Sequence, residues 1–315
     1  MPEAASRWTT SASSSGPPAA PAEAPDPFGV RPLYALRTGE RTHTASDPRV
    51  LRHIPGAPRG MDPAALHGYL CFSHAPDPLT LFPGIHRIPS PAPWRESPEP
   101  ADEESAARRL RDLLAESTER MLGTEREVGV FLSGGLDSSI VAALLVRAGA
   151  RVHLFSLDFG APWDAELEQA RALAQHLGRP LHAVRARARD VARALEPTAR
   201  ALHQPFGDPV TVPLYLLGRA AADHVGVVFN GEGGDQLFGG WATKPMIAAE
   251  TYGGEGYDRE AAYLATYHRF HGREDRLLTP DGRAMIGTAD AGAFLRPALD
   301  APHLPSLLHR LRAAN

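Results

Sequence analysis

Residues 128–145, VGVFLSGGLDSSIVAALL, join an apolar run to a turn that is rich in glycine and hydroxyl groups. Gly134 and Gly135 allow backbone N–H groups to approach an anion closely, and the positive end of a following helix adds to the attraction. Hydroxyl side chains supply further donors at Ser133, Ser138 and Ser139. The run therefore predicts a phosphate-binding loop.

Asp137 gives this loop a carboxylate, whereas a loop of the Walker type carries a lysine. No Gly-Lys-Ser or Gly-Lys-Thr follows Gly135. A carboxylate at this point is suited to holding Mg²⁺ against phosphate oxygens. The alternative is a plain glycine turn that joins a strand to a helix, and the complete Ser-Gly-Gly-x-Asp-Ser-Ser run argues against it.

The apolar pattern around the loop alternates between strand and helix signals. Short apolar runs predict strands at residues 128–132, 152–157, 181–184 and 225–229, the last leading into another glycine-rich loop. Helical spacing of apolar residues predicts helices at 106–123, 138–145, 167–178 and 210–223. The alternation predicts an α/β fold with a doubly wound, mainly parallel sheet and a ligand crevice at the carboxyl ends of its strands.

The composition excludes several classes of protein. The 315 residues are 43% hydrophobic, which is enough for a sizeable core and about two domains. A net charge of -4 argues against a general nucleic-acid binder. Cys71 is the single cysteine, so the chain forms no intramolecular disulfide. No apolar run has the length of a membrane span, and we expect a cytoplasmic protein with no nucleic-acid or membrane partner.

Breaker-rich segments divide the chain into four parts. Residues 1–25 are mostly Pro, Ala and Ser and predict a disordered tail. Residues 26–95 form short strand-like or mixed segments, and the run PSPAPWRESPEPADEE at 89–104 predicts a domain boundary. Residues 104–245 hold the predicted α/β domain, and residues 246–315 have a mainly helical pattern.

Three blocks in order along the chain resemble the asparagine synthetase superfamily. The first loop resembles the pyrophosphatase loop of the N-type ATP pyrophosphatases, and VVFNGEGGDQLFGGW resembles the superfamily block S-G-E-G-x-D-E-L-F-G-G-Y. Between them, HQPFGDPVTVPLYLL resembles the block D-E-P-F-x-D-P-x-x-x-P-x-Y-L-L, with matches at Pro205, Phe206, Asp208, Pro209, Pro213, Tyr215, Leu216 and Leu217. The resemblance implies a sheet of the ATP-pyrophosphatase type.

The resemblance extends upstream of the α/β domain. The segments DPFGVRPLYAL, TASDPRVLRHIPGAP and MDPAALHGYLCFSHAPDPLTLFPGI look like the carboxyl half of the superfamily's glutaminase domain. They imply a truncated glutaminase-like α+β segment at 26–95. The nucleophilic N-terminal cysteine of that domain has no counterpart, since residue 2 is Pro2, so we expect no glutamine hydrolysis. Cys71 lies in an apolar run, which predicts a buried structural thiol.

The resemblance also implies an activity. In this superfamily a carboxylate attacks the α-phosphate of ATP, pyrophosphate leaves, and ammonia or an amine captures the acyl-adenylate. By residue-to-residue match, Asp137 and Asp235 hold Mg²⁺, and Glu232 takes a proton from the incoming ammonia. ATP contacts fall on Leu132, Ser133, Gly134, Gly135, Asp137, Ser138, Ser139, Leu157, Asn230 and Gly231. The alternatives are a helix N-cap for Asp235, a simple loop carboxylate for Glu232, and core packing for the two leucines.

The sequence also departs from the superfamily pattern. Asp-Glu of the second block is Asp235-Gln236 here, and Asp-Glu before Pro-Phe is His203-Gln204, so the site is less acidic. The downstream blocks D-R-x-S-M and E-x-R-x-P-F-L-D are not found before Asn315. We therefore keep a catalytically inactive partner or remnant that at most binds ATP as the rival interpretation, and we expect that a partner protein supplies the missing segment.

The identity of the substrates stays open at this point. Superfamily relatives that close lasso peptides or form β-lactams imply that the carboxylate belongs to a small molecule or a peptide and that the acceptor is ammonia or an amine.

A different pyrophosphatase-loop enzyme is disfavoured by the second block. The 14 histidines show no ligand spacing such as H-E-x-x-H, and we interpret His268 with His271 as a surface pair rather than a metal site. The arginine-rich run at 184–193 is interpreted as a solvated helix face.

Overall fold

The computed structural model of the chain describes residues 9–12, 31–88, 102–234, 238 and 273–287. These residues fall into two compact units. The first unit contains residues 9–12, 31–88, 199–208 and 273–287, and the second contains residues 102–198 and 209–234 together with Phe238. Within these residues, no helix is both long and apolar enough to cross a membrane.

The first unit is built on an antiparallel sheet of four strands. The strands are β1 (Thr9–Ala12), β2 (Tyr34–Thr38), β3 (Arg41–Ala45) and β4 (Ile85–Arg87), in the order β1-β3-β2-β4. Its helices are α1 (Pro48–Leu51), α2 (Pro63–Phe72) and, near the carboxyl end of the described chain, α8 (Glu274–Leu277) and α9 (Pro280–Ile286). Leu36, Leu51 and Ile85 form the centre of its core. Cys71 on α2 is buried, as predicted.

Two features of this unit differ from the sequence-based expectation. Thr9–Ala12, which belong to the predicted disordered tail, pair with β3 as an edge strand. Strand pairing uses backbone N–H and C=O groups, so a short segment without large apolar side chains can join a sheet. Residues 199–208, placed by the sequence in the α/β domain, lie in the first unit, where the guanidinium of Arg49 donates to the carbonyls of Arg200 and Leu202.

The second unit has a four-stranded parallel sheet. The strands β5 (Glu127–Phe131), β6 (Arg151–Asp158), β7 (Leu181–Arg185) and β8 (Val228–Phe229) lie in the order β7-β6-β5-β8. The helices that join or precede them are α3 (Glu103–Leu122), α4 (Leu136–Arg147), α5 (Ala165–Leu177), α6 (Ala188–Ala201) and α7 (Thr211–Ala221). The last three residues of α6 belong to the first unit. The predicted strands and helices of this unit are confirmed, although β8 is shorter than residues 225–229.

Both faces of the parallel sheet are covered. On one face Val130, Leu132 and Leu154 pack with Leu145 and Ala170, which come from α4 and α5. On the opposite face Phe155 packs with Leu217 and Ala221 of α7. Successive residues of a strand point to opposite faces, so the continuous apolar runs of β5 and β6 fill both cores. The doubly wound α/β fold predicted from the sequence is therefore confirmed.

Local capping explains where the helices begin and end. The side chain of Asp102 accepts a hydrogen bond from the amide of Ser105 at the start of α3. Gly178 ends α5 in the left-handed conformation, with φ of 63°. The arginine-rich run at 184–193 is only partly helical, because Val184 and Arg185 close β7 and α6 begins at Ala188.

Candidate functional site

The strand order creates a crevice between the two strands that precede the glycine-rich loops. The chain leaves β5 toward β6 and β7 on one side, whereas β8 lies on the other side of β5. In such a sheet the loops after the two strands diverge at their carboxyl ends, which is where ligands of doubly wound folds bind. The loop at 132–135 and the loop at 230–234 meet at this point.

The first glycine loop packs tightly against α5. Gly134 has φ of +84°, and a Cβ atom on it would lie 2.6 Å from Cβ of Gln169 and 3.0 Å from the amide nitrogen of Ala170. Both the backbone conformation and the contact exclude a side chain at this position. Gly134, which the sequence predicts to allow the close approach of an anion, therefore also lets the loop pack against α5.

Hydroxyl groups brace the loop from inside. Oγ of Ser133 accepts a hydrogen bond from the amide of Gly135 at 3.2 Å, and Oγ of Ser138 lies 3.2 Å from Oγ of Ser133. Ser139 donates from Oγ to the carbonyl of Gly135 at 2.6 Å. Gly135 is the N-cap of α4 and makes no side-chain capping bond. The hydroxyls thus bind the loop itself, and the first amides of α4 are the groups left for an anion.

The second glycine loop rests on the first turn of α4. A Cβ atom on Gly231 would lie 2.6 Å from the amide nitrogen of Ser138, and one on Gly234 would overlap the Asp137 carboxylate. Asp137 is exposed and lies against this loop. Asp235 lies outside the described residues and follows Gly234 in the sequence. The contact brings Asp137 to the loop that carries the second glycine block.

Asn230 and Glu232 belong to the same short loop. The side-chain oxygen of Asn230 accepts a hydrogen bond from the amide of Glu232 at 3.3 Å, which is the local turn that asparagine side chains favour. Glu232 itself is exposed. Its carboxylate is therefore accessible at the crevice edge, while its catalytic role stays a prediction.

The two leucines assigned to ATP binding differ in accessibility. Leu132 is 2% exposed, packs in the sheet core and donates its amide hydrogen bond to the carbonyl of Phe155. Leu157 is half-buried beside Phe155 on the opposite face. Core packing accounts for both side chains, and their roles in nucleotide binding stay predictions.

An ion pair at the same edge of the sheet was not predicted from the sequence. Asp158 at the end of β6 accepts hydrogen bonds from Nη1 of Arg185 at 2.7 Å and from the amide of Gly160 at 2.9 Å. The hydrogen bond from Arg185 is the main reason that the pKa of Asp158 lies below its usual value. The two residues come from adjacent strands, and no sequence motif links them.

An apolar cleft next to these residues was also missed. It has a volume of about 570 Å³ and is lined by Phe159, Pro162, Trp163, Ala165 and Glu166. Trp163 is 74% exposed, although an aromatic ring of this size is usually well covered. The available sequence signal was a pair of aromatic residues in the loop after a strand, which is where binding residues concentrate in this fold.

Comparison with known proteins gives a consistent set of relatives. Residues 109–278 match the family model described as asparagine synthase. A Mycobacterium bovis protein named for the glutamine-hydrolysing asparagine synthetases is 32% identical over 239 residues, covering 69% of this chain and 37% of its own length. Asparagine synthetase 1 of Bacillus subtilis, glutamine-hydrolysing by name, is 26% identical over 232 residues with the same two coverages.

Comparison with solved structures aligns two NAD synthetases with part of this chain. The NH3-dependent enzyme of Campylobacter jejuni aligns over 57% of this chain and 91% of its own, with 17% identity and a TM-score of 0.32. The glutamine-dependent enzyme of Acinetobacter baumannii, solved with ADP, aligns over 45% of this chain and 28% of its own, with 20% identity and a TM-score of 0.34.

The family match is extensive within this chain, whereas the chain spans about 37% of the length of the two curated relatives. The matched residues make up more than half of the 315 residues and include both glycine-rich loops. The chain therefore belongs to the asparagine synthase family.

Proposed function

We propose that this protein is an ATP-dependent amide-bond-forming ligase that activates a carboxylate as an acyl-adenylate for capture by ammonia or an amine. The observation that carries the proposal is the close fit of the two glycine loops at the strand crevice. Gly231 and Gly234 lie against Ser138 and Asp137, so the two blocks that resemble the superfamily form one surface. Membership of the asparagine synthase family supports the same reaction class.

The glycine loop fits the phosphates of ATP. The hydroxyl groups of the loop make hydrogen bonds within the loop itself, and these bonds hold its conformation; they belong to Ser133, Ser138 and Ser139. The N-cap Gly135 leaves the first amides of α4 without a side-chain partner, and the positive helix end favours an anion there. We therefore assign phosphate binding to the backbone of the loop and the first turn of α4, with Asn230 and Gly231 at the crevice edge.

The carboxylates suit Mg²⁺, which prefers oxygen ligands and retains water. Asp137 is exposed, and its neighbour in the second loop, Gly234, has no side chain. A hydrated ion therefore has access to the carboxylate oxygens of Asp137. We assign Asp137 and Asp235 as the residues that would hold the ion. When bound, Mg²⁺ would neutralise charge on the phosphate oxygens.

The chain's own residues would then position the reactants. The first amides of α4 hold the phosphates in place while a carboxylate oxygen attacks the α-phosphorus and pyrophosphate leaves. The exposed carboxylate of Glu232 accepts a proton from the attacking ammonia or amine as the amide bond forms and AMP leaves. We place the carboxylate substrate, a small molecule or a peptide, in the apolar cleft at Phe159 and Trp163.

A binding experiment tests the first part of the proposal. MgATP at a hundredfold excess over its Kd should stabilise the native chain by about 2.7 kcal/mol, which thermal melting detects. Asp137→Asn should reduce this shift strongly, whereas Asn230→Ser, which restores the superfamily residue, should leave it nearly intact. Asp112→Asn on the exposed surface of α3 is the matched charge control. Absence of any shift at millimolar MgATP would contradict the nucleotide site.

Exchange of labelled pyrophosphate into ATP separates the active ligase from an inactive nucleotide-binding partner. With a suitable carboxylate, Asp137→Asn should slow exchange on the order of a hundredfold. Glu232→Gln should leave exchange nearly intact but slow amide formation. If no carboxylate supports exchange, and adding a homologous chain with the downstream blocks does not restore it, the ligase proposal fails and the inactive partner is preferred.

A further inference from the structure

Three histidines meet on one face of the parallel sheet, away from the nucleotide crevice. His153 lies near the start of β6, His182 near the start of β7, and His224 in the turn that follows α7. Their ring nitrogens lie within 4.8 Å of one another. Because all three positions precede or begin strands, the cluster is at the amino-terminal edge of the sheet, whereas the glycine loops are at the carboxyl edge.

The spacing of two of these rings already suits a shared metal ion. Nδ1 of His153 lies 3.2 Å from Nε2 of His182. A tetrahedral zinc ion with Zn–N bonds of roughly 2.0–2.1 Å places two ligand nitrogens about 3.4 Å apart. The ring of His224 already lies against that of His182, with a centroid separation of 4.2 Å, and its exposure leaves the side chain room to rotate toward the same point.

A carboxylate fixes the proton on the first of these rings. Oε1 of Glu127 accepts a hydrogen bond from Nε2 of His153 at 2.8 Å. A proton on Nε2 leaves the lone pair of Nδ1 directed toward His182. Histidines that bind metals commonly donate their second N–H to a carboxylate in this way, because the bond sets the tautomer and the ring orientation.

Two of the three histidine rings are shielded from solvent, and the third is accessible to it. The side chain of His153 is only 12% exposed, and Phe155 stacks on His182 with a centroid separation of 4.8 Å. His224 remains open to solvent and gives an ion a route to the rings.

We propose that His153, His182 and His224 form a Zn²⁺ site, with water as the fourth ligand and Glu127 as the carboxylate that orients His153. The ion would join β6, β7 and the turn after α7 at the amino edge of the sheet. Three imidazoles with one open position are a common ligand set for zinc. The site is independent of the proposed ligase activity, because it uses none of the residues of the glycine loops.

Zinc titration of the full chain tests this site. Tag-free protein is stripped with EDTA, exchanged into chelator-free buffer and titrated with zinc sulfate in a calorimeter. We expect one zinc ion per chain and a higher melting temperature in its presence. Glu127→Gln should weaken binding about tenfold, in line with loss of an outer carboxylate. His224→Ala should weaken it more, because that substitution removes a ligand.

Matched variants make the outcome decisive. His176→Ala removes an exposed histidine of α5 in the same unit and should leave zinc affinity unchanged. His224→Ala is the deciding variant even if His182→Ala fails to fold, because His224 is exposed. Cobalt substitution should give the visible absorption of a tetrahedral ion in the native chain and not in His224→Ala. Equal zinc affinity in the native chain and His224→Ala, or no binding at all, would overturn the site and leave an imidazole stack without a metal.

Discussion

A pair of glycine substitutions tests how the phosphate loop is held. Gly134 and Gly149 have the same φ of +84°, but their surroundings differ. A Cβ atom added to Gly149 would have no atom of the described residues within 4 Å, whereas one on Gly134 would lie 2.6 Å from Cβ of Gln169 and 3.0 Å from the amide nitrogen of Ala170. Gly149→Ala is therefore a control for backbone strain alone.

The structure sets the size of the expected difference. Alanine in the left-handed region costs roughly 1–2 kcal/mol, and this cost applies to both variants. Forcing an extra methyl group into a packed contact costs about 1–3 kcal/mol more, and only Gly134→Ala incurs it. We expect the free energy of unfolding of Gly134→Ala to lie about 1–3 kcal/mol below that of Gly149→Ala.

Urea denaturation followed by circular dichroism measures both free energies. Gly134→Ala should also lose the thermal shift with MgATP, because the loop must move away from α5, whereas Gly149→Ala should keep it. Equal unfolding free energies for the two variants would refute the packing of the loop against α5. A retained MgATP shift in Gly134→Ala would refute the link between that packing and phosphate binding.

Three further predictions concern the site, the core and an ion pair. Gly231→Ala should abolish the MgATP shift, since its methyl group would lie 2.6 Å from a backbone nitrogen of α4; a normal shift would contradict the interlocked loops. Leu154→Ala in the sheet core should cost about 2–5 kcal/mol in urea denaturation, and Leu195→Ala, 57% exposed, should change it by less than about 0.5 kcal/mol. Burial opposes ionisation of Asp47, but hydrogen bonds from Arg49 outweigh it and lower its pKa. The resulting stability is present above the unfolded-state pKa of about 4 and lost as the pH falls through the lower folded-state pKa, so Asp47→Asn should destabilise the chain by about 1 kcal/mol at pH 7 and hardly at pH 2.

The secondary structure of the second unit was predictable because its signals are local. The buried strand β5 follows from an uninterrupted apolar run. Helix α5 ends at Gly178, which adopts the left-handed backbone conformation that glycine favours at helix ends. The glycine loop at 133–135 was equally visible, since its residue types are adjacent in sequence. Each of these features depends on neighbours within a few positions.

Features that depend on distant residues were not predictable. His153 and His182 are 29 residues apart and share no motif, and they meet because β6 and β7 are adjacent. The hydrogen bond from the backbone of Leu81 to Gln204 is similarly invisible in the pattern, although it helps to place residues 199–208 in the first unit. Periodicity identifies elements, but contacts between elements depend on the register and order of the strands.

The two glycines of the second loop act on the site through the first loop. Gly231 lies against the backbone at Ser138, so a side chain at Gly231 would displace the turn that carries Asp137. Gly234 lies against the carboxylate of Asp137, so a side chain at Gly234 would displace the carboxylate itself. A substitution in the second block therefore changes metal and phosphate binding even when it removes no ligand. For this reason the effect of Glu232→Gln on amide formation is informative only if MgATP binding is unchanged, whereas a joint loss would indicate movement of the loop at Asp137.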